Sequence, residues 1–140
     1  MICQSVIRRF DGDSAPSFHT AVLARGGLGL RFVAWAVLDK GTSRYAPNNR
    51  APSFDIAWVP AEKIRDETSS PAEIDAALGD PDQIPLIVEP RRQWPVAYYS
   101  DDGADFPAVE IKGKAMVLVA RVESIVAGTH GQLTFGWRTR

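Results

Sequence analysis

Cysteine is almost missing from this chain. Cys3 is the single one in 140 residues, so no internal disulfide forms and no thiolate zinc site is assembled. Its place at the start of an apolar strand makes it read as a small buried hydrophobe and not as a nucleophile. Histidine is nearly as scarce, with only His19 and His130, and two histidines specify no chemistry by themselves. Neither is followed two residues on by Ser or Thr, as a two-histidine phosphoesterase requires; Ala21 and Gln132 stand there. No HExxH pattern is present, and Gly26-Gly27-Leu28-Gly29 has the spacing of neither a dinucleotide fingerprint nor a phosphate loop. No cofactor is expected.

An excess of charge of either sign is also missing. Sixteen basic residues face seventeen acidic ones, for a net charge of −1, whereas a nucleic-acid protein is expected to carry a basic footprint. Among the basic residues only Lys40, Lys63, Lys112 and Lys114 are lysines. With the richness in Ala, Arg, Gly and Pro, that bias suits a GC-rich bacterial or phage genome. The longest apolar run, near Phe32–Leu38, is far short of a membrane span. The start, MICQSVIRRF, puts an apolar run before Arg8 and Arg9, the reverse of a secretory leader. A reducing cytoplasm is the expected setting.

What is present is an ordinary globular composition, 45% hydrophobic and 24% charged. A single domain over residues 1–140 would bury about 68% of its unfolded surface. Strand patterns dominate. They run over Ile2–Arg9, Phe18–Arg25, Leu28–Leu38, Phe54–Val59, Ile84–Glu89, Trp94–Ser100, Pro107–Lys112, Ala115–Ser124 and Gln132–Arg138. Phe18–Arg25 and Leu28–Leu38 read as a hairpin turned at Gly26-Gly27. Leu28–Leu38 is apolar on both faces and reads as a central strand. Phe54, Ile56 and Trp58 share one face of a half-buried strand.

One helix is well signposted. Ser70-Pro71-Ala72-Glu73 is a capping box with proline at the first helical position, and Gly79 stands where the helix should stop. A weaker helical turn is expected over Ala61–Glu67. The expectation is an α+β, strand-dominated fold: an antiparallel β-sandwich or partly open barrel of about eight or nine strands, with one or two short helices near residues 61–78.

The acidic clusters have ordinary explanations. Asp11-Gly12-Asp13 opens like a calcium loop, but Val22 stands where the twelfth-position Glu belongs. Asp101, Asp102 and Asp105 could bind a divalent ion, yet Asp102-Gly103 is also a strong hairpin turn. The densest recognition chemistry is in Pro90–Asp105, where Arg91, Arg92, Trp94, Tyr98 and Tyr99 precede those aspartates. Arg, Trp and Tyr carry much of the binding energy at protein surfaces. The connection Asp39–Ser53 adds Arg44, Tyr45 and Arg50, and connections this long are often functional.

No segment holds a complete catalytic signature. The expected function is therefore protein–protein binding by a small non-enzymatic protein, such as an inhibitor or accessory factor of a phage or mobile element. Its partner would be another protein with an acidic surface, ahead of nucleic acid. A structural subunit of an oligomeric or phage assembly is the alternative. A small-molecule binder or hydrolase is the second, with a pocket involving His19, His130 and Asp101, Asp102 or Asp105.

Overall fold

The computed structural model describes residues 2–23, 27–42, 44–47, 50–86, 96–99, 110–111 and 114–139. Nine strands lie in these segments: β1 (Ile2–Asp11), β2 (Phe18–Val22), β3 (Gly27–Asp39), β4 (Ser53–Pro60), β5 (Ile84–Leu86), β6 (Val96–Tyr99), β7 (Glu110–Ile111), β8 (Lys114–Glu123) and β9 (Thr129–Thr139). A 3-10 turn covers Ala61–Lys63, and one helix, α1, spans Pro71–Leu78. The pairings between strands are antiparallel. They build a first sheet of order β1-β9-β3-β6 and a second of order β2-β8-β4-β5, with β7 against the start of β8. Neither sheet closes into a barrel. The strand-dominated α+β expectation holds.

Side-chain alternation explains how the layers stack. Val33, Trp35 and Val37 of β3 and Leu133, Phe135 and Trp137 of β9 turn to one face of the first sheet. They meet Ile56 and Trp58 of β4 and Leu118, Ala120 and Val122 of β8 in one buried cluster. Phe54 packs at its margin, so the predicted row of Phe54, Ile56 and Trp58 faces this core. Trp35 and Phe54 lie with ring centroids 4.8 Å apart.

The opposite face of the second sheet is buried too. Ala21, Ala57, Val59, Val117 and Val119 form a second cluster with Ile64 and with Ile74 and Ala77 of α1. The order of layers is thus first sheet, second sheet, helix. Helix α1 starts as the sequence dictates. The Ser70 hydroxyl accepts from the Glu73 amide at 3.2 Å, and the Glu73 carboxylate accepts from the Ser70 amide at 3.0 Å. Gly79 ends it. The weaker turn is shorter than expected, three residues long.

One expected pairing is absent. β2 pairs with β8 and β3 pairs with β9 and β6, so the two lie in different sheets and form no hairpin. A glycine pair permits a sharp change of direction, but it does not choose the strand's partner. Burial does. Thr20, Ala21 and Val22 are all buried, which calls for a second sheet roofed by a helix on one side and by the first sheet on the other. β3 keeps its predicted interior place, between β9 and β6.

Candidate functional site

Three connections cross between the sheets at the same end of the sandwich. They are residues 12–17 from β1 to β2, 40–52 from β3 to β4, and 124–128 from β8 to β9. The register confirms the common end, because Asp11 pairs with His130, Leu38 with His130, Phe18 with Val122 and Ser53 with Glu123. Loops held at one end of a rigid sandwich are where such scaffolds place binding residues.

Lys40 knits this end together. Its ammonium donates to Asp11 Oδ1 at 2.8 Å and to Asp13 Oδ2 at 2.5 Å. Asp13 Oδ1 accepts from the Gly128 amide at 2.7 Å, and the Lys40 amide donates to the Gly128 carbonyl at 2.9 Å. The Lys40 hydrogen bond, followed by the Asp13 amide, holds the Asp11 carboxyl below its ordinary range. Lys40 and then the Gly128 amide do the same for Asp13, and the two carboxylates push Lys40 up. The Asp11-Gly12-Asp13 motif is therefore a lysine clamp. Gly12 itself lies against the Val126 carbonyl, with no room for a Cβ.

Beside the clamp opens a cavity of about 590 Å³. Phe10 and Phe18, 6.0 Å apart between centroids, contribute its aromatic surface. Arg9, Asp11, Lys40 and His130 line it with charged and titratable groups, and Ser14 and Ser17 with hydroxyls. His130 Nδ1 is buried and has no hydrogen-bond partner among the described residues.

The histidines do not share a site. His19 shares the helix-facing side of the second sheet, where its Nε2 meets Asp75 Oδ1 at 2.8 Å. Asp75 Oδ1 also accepts from Arg121, whose guanidinium continues to Asp55 and Glu123. Arg121 first, then His19, keeps the Asp75 carboxyl below its ordinary value. This is an ion-pair network anchoring α1. His130 lies across the molecule in the first sheet. Among the described residues no group of three or more metal-ligating side chains comes together.

Of the predicted partner-binding residues, Arg91, Arg92 and Trp94 lie outside the described residues, as do Asp101, Asp102 and Asp105. Tyr98 and Tyr99 are in β6 at the register positions opposite Val33 and Phe32. Arg50 is engaged internally, with Asp39 at 2.9 Å and the Ala127 carbonyl at 3.5 Å. Arg44 and Tyr45 are exposed, and an isolated bridge sets Tyr45 opposite Leu38 on β3.

That bridge extends a surface that sequence reasoning did not assemble. The outer face of the first sheet carries rows set by the register: Ile7, Thr134 and Ala34; Arg9, Gln132 and Ala36; Asp11, His130 and Leu38, with Tyr45 beyond. Helix α1 lies on the other sheet, and no hydrophobic cluster forms over this face among the described residues. The alternation of β3 was the available signal, but only the strand order shows which face has no layer over it among the described residues.

Comparison with protein-family models, with curated proteins and with solved structures finds no match for this chain.

Proposed function

We propose that this protein works by binding another protein, and that the partner docks on the outer face of the first sheet. One observation carries the reading. The two large hydrophobic side chains that stand exposed among the described residues, Ile7 at 43% and Tyr45 at 51%, occupy opposite sides of this one face. Between them run Thr134, Gln132 and His130 of β9 and Ala34, Ala36 and Leu38 of β3, half-buried side chains that leave the surface low and of mixed polarity.

The charge around it selects the partner. Arg9 and Arg44 are exposed and hold no ion pair among the described residues. A partner with an apolar anchor and a rim of carboxylates complements both features. Among the described residues no group on this face forms a nucleophile–base pair, and the reading is recognition without chemistry.

The test is capture with the tagged protein followed by measurement on the purified pair. Tyr45→Ala and Ile7→Asp should each weaken the complex by about tenfold or more. Arg44→Glu should weaken it mainly at low salt, because exposed charges are screened as ionic strength rises. Arg65→Glu, exposed in the segment before α1, should change nothing. A complex indifferent to all three face substitutions sinks the reading. Capture of a second copy of this chain, with a mass that rises with concentration in light scattering, replaces it with assembly.

A further inference from the structure

The outer strands of the two sheets are unequal. β2, β5 and β6 are five, three and four residues long, whereas β1 runs for ten. β1 is also regular. Its register with β9 is unbroken from Ile2 to Asp11, while β3 shifts register twice against the same strand. We infer that the partner adds a strand of its own beside β1, an extended segment whose carboxylates come to Arg9. This rests on the docking of an acidic partner proposed above and states how that partner is held.

Backbone groups come first. A strand at a sheet edge leaves the N–H and C=O of every second residue unpaired, and such an edge is a template for another strand. The edge of β2 is occupied from within. Its Ala21 carbonyl accepts from Arg8 at 3.5 Å, and just past its end the Leu23 amide donates to Glu67 at 3.1 Å. Residues 2–10 of β1 make no backbone hydrogen bond outside the ladder with β9 among the described residues. Edges are commonly blunted by proline, a bulge or lysine, and ICQSVIRRFD has none of these. Its inward charge, Arg8, is turned to Thr20 at 3.0 Å and to Glu67 at 3.2 Å, which closes the seam to the second sheet.

Side chains then choose the occupant. Gln4, Ser5, Ile7 and Arg9 are exposed, and Val6 is half-buried. Alternation sends Ser5, Ile7 and Arg9 to the outer face and Val6 inward against the core. A strand added here continues both faces, with its outer residues beside Arg9 and its inner ones beside Val6. Arg9 has no ion pair among the described residues, and cross-strand neighbours of opposite charge stabilise a pairing. A second copy of this chain fits worse. Its β1 would bring another unpaired Arg9 to the seam, and the one carboxylate of the strand, Asp11, is already held by Lys40. Carboxylates alternating with apolar side chains match what β1 offers.

The experiment is an NMR titration with amide exchange, using two capped peptides as long as β1. One alternates valine with glutamate and the other valine with lysine, each up to about 5 mM. The glutamate peptide should give saturable shifts centred on residues 2–11. It should also slow exchange at every second amide of β1, those facing away from β9. The lysine peptide should bind at least about tenfold more weakly. Arg9→Glu should reverse the two preferences, and Arg65→Glu should leave them as they were. The spectra show directly that each variant is folded. Binding of neither peptide, or binding without new protection in β1, overturns strand addition. Equal binding of both, unmoved by Arg9→Glu, overturns the acidic segment. Protection of the same amides in the free protein, growing with its concentration, gives the edge to a second copy and overturns the inference too. Failure of the peptides leaves docking on the outer face standing, since that reading is judged on the purified pair through Tyr45 and Ile7.

Discussion

Trp35 and Trp58 are almost equally buried, at 2% and 1% exposure, so the replacement and not the position should set the loss. Trp35 sits between β9 and β6 in the first sheet and stacks against Phe54. Trp35→Ala should cost about 3–5 kcal/mol, the usual loss for a large aromatic removed from a core. Trp58 Nε1 has no hydrogen-bond partner among the described residues. A buried donor left unmade costs about 1–3 kcal/mol, so Trp58→Phe sheds that penalty along with some packing. Its net cost should stay below about 1.5 kcal/mol. Urea titrations of the two variants check the contrast. Glycines offer a second one. A Cβ on Gly131 would stand 2.5 Å from both the Ala36 carbonyl oxygen and the Phe10 ring, while Gly41 has nothing within 4 Å. Gly131→Ala should destabilise by about 1–3 kcal/mol through overpacking, and Gly41→Ala should be close to neutral. Equal melting temperatures for these two would contradict the close packing of β1, β9 and β3.

At the scale of elements, α1 shows what local sequence can specify. Its box, its proline and its terminal glycine act within one turn of the helix ends, and all three lie inside ten consecutive residues. Ser70→Ala should therefore lower stability by about 1 kcal/mol, with the loss visible in thermal melts and the loosening centred on residues 70–78 in amide exchange. β4 was equally legible, because its alternation records two different neighbours, a core of aromatics and a helix. The false hairpin between β2 and β3 marks the limit. Turn residues say where a chain bends, and pairing is decided by strands that arrive from elsewhere. The same limit hid the site. Lys40 reaches Asp11 and Asp13 across 29 and 27 residues, and His130 reaches Asp11 only through β9. Asp11-Gly12-Asp13 looked like an incomplete metal loop, since the lysine that fills the role of counter-ion has no fixed spacing from it. Composition alone points to Arg44 and Tyr45 as candidates, whereas Ile7 reads as one more strand residue until the strand order is known.

At the scale of the whole molecule, the carboxylates set an acid limit. Asp11, Asp13, Asp66 and Asp75 are held below the ordinary 3.8, and Glu73 below 4.5, by hydrogen bonds made in the folded state. A lowered folded value means stability that is complete above the unfolded value and drains away as pH falls through the folded one. The melting temperature should hold steady down to about pH 5 and then fall steeply below pH 4. Asp75→Asn, which removes one such group, should start lower and show a shallower acid decline in a melting series. An equally steep decline in that variant would mean that its partners Arg121 and His19 do not couple to folding. The strand order has a consequence in time. β9 is the last strand of the described chain, yet it lies between β1 and β3. While the chain is being made, the earliest strand and the longest one can find no place beside each other until residue 139 has left the ribosome. Folding of the first sheet is thus deferred until β9 has been made, with the facing edges of β1 and β3 unpaired meanwhile, and a nascent chain halted at residue 128 should be a substrate for chaperones.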